Sequence, residues 1–435
     1  MSIALLFIFF IGLAILSIPI SAAIGVGVLA SVFSSNIISL SYVVRGMVNN
    51  VDSFTMTAIP FFVLAGQIMA KCGISKGLFD VANVFMGRLK GGVMMVTVLA
   101  CMAFGAISGS AFATVAAIGM IALPELKKQG VSKGAAAALI ATSGCLGQMI
   151  PPSMGLVVYG GMNNVSIAKL FIAEVIPGIF VGCAFLVYCY YYGKKHNICA
   201  GDRRYTTKEK LQTIWNAKWS LLMPIIILGG IYSGMFTPTE AAVVSVVYGF
   251  GYGVLKSTLQ KRRGQAQDFL IKNTVPMLYD SVITTAGIMF LVGISSGFGK
   301  ILTLENVPAN MSNYVLANVD SKFMVLVMIT LILLVLGTFL DGTAINVIVS
   351  PILLNIAVQY GIDPVHFGVI FVFVSTLGLL TPPLGANLFV GSQICDTTFE
   401  DSVKNIWPWI AVMFAALLFI IFIPGMSMWL PSLMK

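Results

Sequence analysis

The sequence has 435 residues, of which 58% are hydrophobic and only 9% are charged, and its mean hydropathy is +0.97. Apolar runs of about 18 residues or more recur from end to end, which excludes a soluble globular domain and indicates an all-α polytopic protein of the lipid bilayer. The net charge of +9 does not indicate binding to nucleic acid, because the basic residues lie in short segments between apolar runs, without interleaved aromatic residues.

The first elements predict two membrane spans. The apolar run from Ile3 to Phe33 is too long for a signal-peptide core and lacks a basic segment before it, so we interpret it as a retained helix. An amphipathic connector leads to a second span over 55–70. The segment 71–90 is predicted to be a loop, and its basic residues (Lys71, Lys76, Arg88 and Lys90) place it, and hence the N-terminus, in the cytoplasm.

Residues 91–125 predict a re-entrant helical hairpin. They form two apolar halves of about 15 residues, each too short to cross a bilayer, with Ser108-Gly109-Ser110 between them. The following segment, 134–162, predicts a helix that is broken at Pro151-Pro152, since proline removes a backbone donor and restricts the residue before it.

The middle of the chain predicts further spans over 167–193, 219–234, 238–255 and 276–298. The first of these ends in the most basic loop of the chain, with Lys194, Lys195, Arg203, Arg204, Lys208 and Lys210. Between the next two, Thr237 and Glu240 fit a capping box with proline at the first helical position.

The pattern of hairpin and broken helix then recurs about 230 residues downstream. A second hairpin is predicted over 323–359 with its break at Asp341-Gly342-Thr343, and a helix broken at Pro382-Pro383 follows it. The loops around this copy carry few basic residues, so it is expected to enter from the outside, and a last span over 406–430 ends there too. The sequence therefore predicts two inverted repeats and about nine full spans.

The breaks are the expected functional site. In hydrocarbon an interrupted helix survives only where it lines a cavity or is buried in protein, and paired breaks in two repeats indicate a transporter's binding site. Exposed amides and hydroxyls at a helix start suit a carboxylate, whereas hydroxyl and carbonyl oxygens suit Na⁺. Asp341 either caps the following half-helix or responds to a bound cation. Neither tip carries Lys or Arg, so amides and hydroxyls, or a basic residue from elsewhere, are expected to hold the carboxylate.

Two other classes of function are less consistent with the sequence. An intramembrane enzyme lacks a constellation of His, Cys or paired carboxylates at membrane depth, and the seven cysteines contain no CxxC pair, so we expect no enzymatic, metal or redox chemistry. A passive channel has little need for two inverted breaks.

The motifs resemble the large membrane subunit of tripartite ATP-independent periplasmic (TRAP) transporters. The resemblance is carried by AIPFFVLAGQIM at 58–69, SGSA at 108–111, IPPS at 150–153, GIYSGMFTPTEAA at 230–242 and LTPPLG at 380–385. It implies a sodium-coupled, elevator-type importer of an organic acid such as sialic acid, a C4-dicarboxylate or a sugar acid. It also implies a separate small four-helix membrane subunit, a periplasmic substrate-binding protein, and a location in the bacterial inner membrane with the C-terminus in the periplasm.

The same resemblance implies where the ligands bind, with Na⁺ as the co-transported ion at two sites. One Na⁺ site would be formed by Ser108, Gly109, Ser110, Gly144, Gly147 and Pro151. The other would be formed by Thr338, Asp341, Gly342, Thr343, Ser375, Thr376, Gly378 and Thr381. Substrate is expected between the tips, at Ser108, Ser110, Ser153, Thr343 and Asn387. Many relatives have an acidic residue where this chain has Thr114.

The expected organisation has five parts. They are N-terminal scaffold helices (1–90), the first hairpin and broken helix (91–162), connecting scaffold helices (163–322), the second hairpin and broken helix (323–394) and a C-terminal helix (395–435). A stand-alone divalent-anion/sodium symporter has a similar repeat plan and is the alternative, although the FTPTEAA stretch favours the tripartite family.

Overall fold

The computed structural model describes residues 2–16, 18–34, 39–198, 205–262 and 269–433, and every regular element within these ranges is a helix. Cys199, Arg203 and Arg204 lie outside them. Among the described residues, five helices are long and apolar enough to cross a membrane, or up to eight if each sharply bent pair is one span. The predicted nine spans are therefore not found, because several apolar segments are shorter or more bent than their sequence indicates.

The N-terminal part contains five helices. They are α1 (Ser2–Ile15), α2 (Ile20–Ser34), α3 (Leu40–Val51), α4 (Ala58–Lys71) and α5 (Ile74–Met86). The predicted single helix over 3–33 is wrong: α1 and α2 are separate and pack against each other. The break falls just before Pro19, and proline disfavours helical geometry in the residue that precedes it.

The predicted loop over 71–90 is also different in the structure, since most of it is α5. This helix has an amphipathic sequence and packs on later helices, which stabilises it despite its charges. It meets α4 at an angle of 66°. Gly73 forms the corner with φ at +75°, a left-handed conformation that glycine adopts without steric cost.

The segment predicted as the first hairpin and broken helix forms four helices. They are α6 (Gly92–Ser108), α7 (Ala111–Lys128), α8 (Lys133–Met149) and α9 (Met154–Asn163). Between α6 and α7 only Gly109 and Ser110 are non-helical. Between α8 and α9 the chain bends by 41° at the Pro-Pro pair.

The middle of the chain forms six helices. They are α10 (Ile167–Lys195), α11 (Thr207–Asn216), α12 (Lys218–Tyr232), α13 (Pro238–Arg262), α14 (Phe269–Leu304) and α15 (Val307–Asn318). The capping box predicted before α13 is confirmed: the Thr237 amide donates to Glu240 Oε2 (2.8 Å), and the Glu240 amide donates to Thr237 Oγ1 (3.3 Å).

The segment predicted as the second hairpin and broken helix likewise forms four helices. They are α16 (Lys322–Phe339), α17 (Gly342–Gln359), α18 (Pro364–Gly378) and α19 (Ala386–Cys395). The predicted last span is two helices, α20 (Phe399–Phe422) and α21 (Gly425–Ser432), because Pro424 follows the first.

The first set of helices (α6–α9) and the second set (α16–α19) pack in the same way, and the last helix of each set packs against the other set. Both arms of the first hairpin, α6 and α7, contact α8, and both arms of the second, α16 and α17, contact α18. The short helix α19 lies against α7 and α8 of the first set, while α9 lies against α17 and α18 of the second. Tyr159 of α9 is fully buried next to Phe367 and Phe371 of α18, so the core is continuous across both sets.

Candidate functional site

The two hairpin breaks meet in one cavity of about 850 Å³. Ser108, Gly109 and Ser110 line it from the first hairpin, and Asp341, Gly342 and Thr343 line it from the second. Gln148 from the end of α8 and Leu379 from the end of α18 also line it. Segments that lie far apart in the sequence therefore form one concave site, which is the usual form of a small-molecule pocket.

The first hairpin tip is a tight turn held by hydrogen bonds to the broken helix. Gly109 has φ at +62°, and a Cβ there would lie 2.5 Å from the carbonyl oxygen of Pro152, so both the backbone conformation and the space require glycine. Its own carbonyl oxygen accepts a hydrogen bond from the amide of Met154 (3.1 Å). Ser110 caps α7, and its hydroxyl oxygen accepts from the amide of Ala113 (3.4 Å).

Thr114 lies in the first turn of α7, next to the first tip. It is completely buried, and its hydroxyl donates to the Ser110 carbonyl oxygen (2.8 Å). The same Oγ1 atom lies 3.1 Å from Ser108 Oγ. Because one hydroxyl contacts both sides of the break, Thr114 fixes the shape of the first tip without adding a charge.

At the second tip, a carboxylate caps the helix that follows. Asp341 Oδ1 accepts hydrogen bonds from the amides of Thr343 (2.7 Å) and Ala344 (3.2 Å), so the side chain caps α17. Asp341 is half-buried and lines the cavity. Its capping role is thus visible in the structure, and a response to a cation remains a separate prediction.

The other predicted Na⁺ residues lie behind the tips and do not line this cavity. They are Gly144, Gly147, Pro151, Thr338, Ser375, Thr376, Gly378 and Thr381. The hydroxyls of Thr338, Ser375, Thr376 and Thr381 each donate to a backbone carbonyl oxygen three or four residues earlier in the chain, at 2.7–3.0 Å. A hydroxyl used in this way keeps its oxygen lone pairs available to a cation.

Close helix contacts hold the breaks next to the hairpins. A Cβ on Gly105 of α6 would lie 2.6 Å from the Cα of Gly147 of α8. The second set has the same arrangement, because a Cβ on Gly337 of α16 would lie 2.7 Å from the Cα of Gly378 of α18. Small residues of this kind let membrane helices approach closely.

The five predicted substrate residues separate into two groups. Ser108, Ser110 and Thr343 line the cavity. Ser153 and Asn387 are fully buried outside it. Ser153 donates to the carbonyl oxygen of Gln148 (2.6 Å), and the Asn387 amide lies 3.2 Å from Cys145 Sγ with no hydrogen-bond partner for its Oδ1 among the described residues.

One wall of the cavity was missed by the sequence interpretation. Gln67 and Lys71 of α4 line it together with Ser75 and Lys76 of α5. Both lysines were assigned to a loop, and nothing in a single sequence shows that this segment turns by 66° to lie beside the first hairpin. Gly66 of the same wall approaches Ser108, since a Cβ there would lie 3.6 Å from the Ser108 Cα.

Comparison with known proteins gives a consistent family. Residues 7–426 match the family described as "Tripartite ATP-independent periplasmic transporter, DctM component". The chain is 36% identical to the C4-dicarboxylate TRAP transporter large permease protein DctM of Vibrio cholerae, over 100% of this chain and 98% of that protein.

Two further relationships concern a longer relative and a solved structure. The chain is 38% identical to the isethionate TRAP transporter permease protein DctMQ of Oleidesulfovibrio alaskensis over 97% of its length, but it spans only 65% of that protein. The structure of the Alcanivorax borkumensis YdaH transporter superposes with a TM-score of 0.64 and 13% identity, covering 97% of this chain and 98% of that chain, which shows a shared fold.

Proposed function

The chain belongs to the DctM component family of tripartite ATP-independent periplasmic transporters, and from this we propose that it imports an organic acid together with Na⁺ as the large membrane subunit of such a transporter. The substrate is a small carboxylate or sulfonate such as a C4-dicarboxylate, sialic acid or isethionate. The chain is therefore a permease and catalyses no covalent chemistry.

The cavity between the two breaks is the observation that carries this proposal. Its volume of about 850 Å³ lies within the usual range for small-molecule sites, about 300–1,000 Å³. Its lining includes basic side chains, Lys71 and Lys76, and the carboxylate of Asp341. A site that offers both signs of charge suits the joint binding of an anion and a cation, which is what a symporter of this kind requires.

The exchanged packing supports two inverted repeats. If a two-fold axis relates the two sets of helices, α9 must occupy in the second set the place that α19 occupies in the first set. The contacts of α9 with α17 and α18, and of α19 with α7 and α8, have this reciprocity. We infer that α6–α9 and α16–α19 move together against the remaining helices as an elevator, because the shared core makes them one packing unit.

The remaining assignments follow from the family. A small four-helix membrane subunit and a periplasmic binding protein complete the transporter in the inner membrane. Na⁺ binds at the two breaks, through the hydroxyl oxygens of Ser110 and Thr343 at the tips, those of Thr338, Ser375, Thr376 and Thr381 behind them, and the carbonyl oxygens of the breaks. This part of the proposal rests on the chemistry of the oxygen atoms and on the resemblance.

Uptake into proteoliposomes tests the proposal. The chain is reconstituted with a candidate small subunit, and uptake of radiolabelled succinate, isethionate and sialic acid is measured with and without an inward Na⁺ gradient and a candidate binding protein. We expect uptake of at least one of these acids that depends on both Na⁺ and the binding protein. A sample without the binding protein and a sample with K⁺ in place of Na⁺ are the controls.

The alternative outcomes separate the competing functions. Uptake that needs Na⁺ but no binding protein would indicate a stand-alone symporter. Flux that is indifferent to Na⁺ would contradict the assignment of the breaks as ion sites.

A further inference from the structure

We propose that Lys71 binds the anionic group of the transported acid, with Gln67 and Ser75 as hydrogen-bonding neighbours, on the wall that α4 and α5 contribute to the cavity. This inference rests on the proposed function and adds to it the residue that recognises the substrate's charge. It also assigns the recognition to a part of the chain outside both hairpins.

The bend between α4 and α5 brings the three side chains to the same cavity. Gln67 and Lys71 are four residues apart on α4, so they lie on one face of that helix. The chain then turns by 66°, and Ser75 in the first turn of α5 lines the cavity as well. All three share the cavity with Ser108, Gly109 and Ser110 of the first hairpin.

The polar groups of this wall have no partners among the residues that the structure describes. Ser75 is only 2% exposed, yet its Oγ makes no hydrogen bond. A buried hydroxyl without a partner costs free energy, which a ligand that accepts its hydrogen bond would recover. Lys71 likewise forms no ion pair and no hydrogen bond within the described ranges, where the ion pairs involve Lys128 and Lys133.

Lys76 lines the same cavity but differs in its surroundings. It lies one turn before Asp80 on α5, and its positive charge acts on that carboxylate. Lys71 has no carboxylate of this kind on its own helix, since α4 contains no acidic residue. Lys71 is therefore the lysine of this wall that has no acidic residue on its own helix.

The position of Asp341 limits where an anion can bind. Its carboxylate lines the cavity from the second hairpin, so an anion bound next to it would be repelled. An anion held at the α4–α5 wall avoids this repulsion, and the space beside Asp341 is left for a cation. Substrate anion and co-transported cation thus have separate places within one cavity.

The chemistry of the wall defines the ligand class. A lysine ammonium is a compact point charge with three donors, and it accepts a carboxylate or a sulfonate without the planar geometry that arginine selects. The amide of Gln67 and the hydroxyl of Ser75 add neutral donors. We therefore expect a small organic oxyanion with one such group facing the wall.

The first test measures the reactivity of Lys71 directly. The full chain, purified with its small subunit in detergent, is treated briefly with a water-soluble amine-acylating reagent, and the modified fraction of each lysine is measured by mass spectrometry. Succinate, isethionate and sialic acid are added separately at millimolar concentration, and succinamide is the neutral control. We expect at least one acid to protect Lys71 severalfold while the exposed Lys128, outside the cavity, reacts as before. If none of the three acids lowers the labelling of Lys71 below that of the sample without acid, the proposal is overturned.

The second test uses variants in the reconstituted transporter. We expect Lys71→Gln to raise the substrate concentration for half-maximal uptake about tenfold, because one charge-assisted hydrogen bond is lost. Lys71→Arg should restore most of the affinity, Lys128→Gln, at an exposed lysine outside the cavity, should resemble the unmodified protein, and the Na⁺ dependence should stay constant. A Lys71→Gln variant with unchanged substrate dependence would contradict the assignment.

The two tests distinguish the inference from the proposed function. If the unmodified protein takes up none of the acids but Lys71 is still protected, the wall binds anions and the transport proposal is wrong. If uptake depends on Na⁺ and the binding protein but Lys71 is neither protected nor needed, the function stands and the residue assignment is wrong.

Discussion

Gly337 and Gly378 are in direct backbone contact: a Cβ on Gly378 would lie 2.5 Å from the Cα of Gly337. We expect Gly378→Ala to destabilise the protein by about 1–3 kcal/mol, the usual cost of overpacking, because neither backbone can move without displacing a hairpin or a broken helix. Thermal unfolding in detergent measures the effect. Gly251→Ala on α13, where a Cβ meets nothing within 4 Å, is the matched control. Equal unfolding temperatures for both variants would contradict the role of this contact.

The hydroxyls at the two tips give a prediction about ion binding. Ser110→Ala and Thr343→Ala should each raise the Na⁺ concentration for half-maximal uptake by about five- to tenfold, which corresponds to roughly 1 kcal/mol or slightly more. Ser245→Ala removes a buried hydroxyl on α13 that bonds only the Ala241 carbonyl, so it serves as the control. The Na⁺ dependence of uptake is the measurement, and if neither tip variant changes it the site assignment fails.

Two substitutions of Asp341 separate its capping role from a response to cations. Asparagine is also a good N-cap, so Asp341→Asn should keep the stability of the protein, whereas Asp341→Ala should lower it by about 1 kcal/mol. If the carboxylate also attracts Na⁺, both variants should raise the Na⁺ concentration for half-maximal uptake. Unfolding temperature and Na⁺ titration are measured side by side. Normal Na⁺ dependence in Asp341→Asn would leave capping as its only role.

Thr114 gives a prediction about the first tip. Thr114→Val keeps the shape of the side chain but removes the hydroxyl that contacts Ser108 and the Ser110 carbonyl. We expect it to raise the Na⁺ concentration for half-maximal uptake and to lower the stability of the protein by about 1 kcal/mol. Thr97→Val is the control, because Thr97 is equally buried on α6 and bonds only the Val93 carbonyl. Thr114 is important for the tip only if its variant changes the Na⁺ dependence more than the control does.

A surface ion pair that joins the two sets of helices gives a pH prediction. The Lys133 ammonium at the start of α8 donates to Asp396 Oδ2 (2.9 Å) after α19, and this hydrogen bond lowers the pKa of Asp396. Since the folded pKa is lower than the unfolded one, the pair stabilises above about pH 4 and loses this effect as the pH falls through the folded pKa.

We therefore expect Lys133→Gln to lower the unfolding temperature slightly at neutral pH and by less in strong acid, where the hydrogen bond from the Lys133 ammonium to the Asp396 carbonyl oxygen (2.9 Å) remains. The effect is small because both side chains are exposed. Lys128→Gln is the control, since Lys128 pairs with Glu125 within α7 and joins no separate elements. A difference between Lys133→Gln and the unmodified protein that persists unchanged at the lowest pH would contradict this explanation.

The positions of the helix breaks could be predicted from sequence because they depend on local chemistry. Glycine, serine, aspartate and paired prolines interrupt helices wherever they occur together, so the breaks at Gly109, Asp341 and the two Pro-Pro pairs were found. The capping box at Thr237 and Glu240 was predictable for the same reason. Hydropathy also indicated the membrane class, since it reflects composition more than packing.

The rest depended on packing between distant segments. The charged stretch 71–90 has the composition of a loop, and only its contacts with later helices stabilise α5. Lys71 was therefore treated as a loop charge, although it lines the cavity. Ser153 and Asn387 follow the breaks in sequence but are turned into the core, because the direction of a side chain after a break depends on the angle of the next helix.

The exchange of α9 and α19 also affects how the chain is made. During synthesis at about 5–20 residues per second, α19 emerges roughly 10–50 s after α8 is complete. Until then, the surfaces of α7 and α8 that α19 covers have no partner within the nascent chain. The first hairpin therefore cannot reach its final packing while it is being inserted, and the insertion machinery or lipid must cover it until nearly the whole protein has been translated.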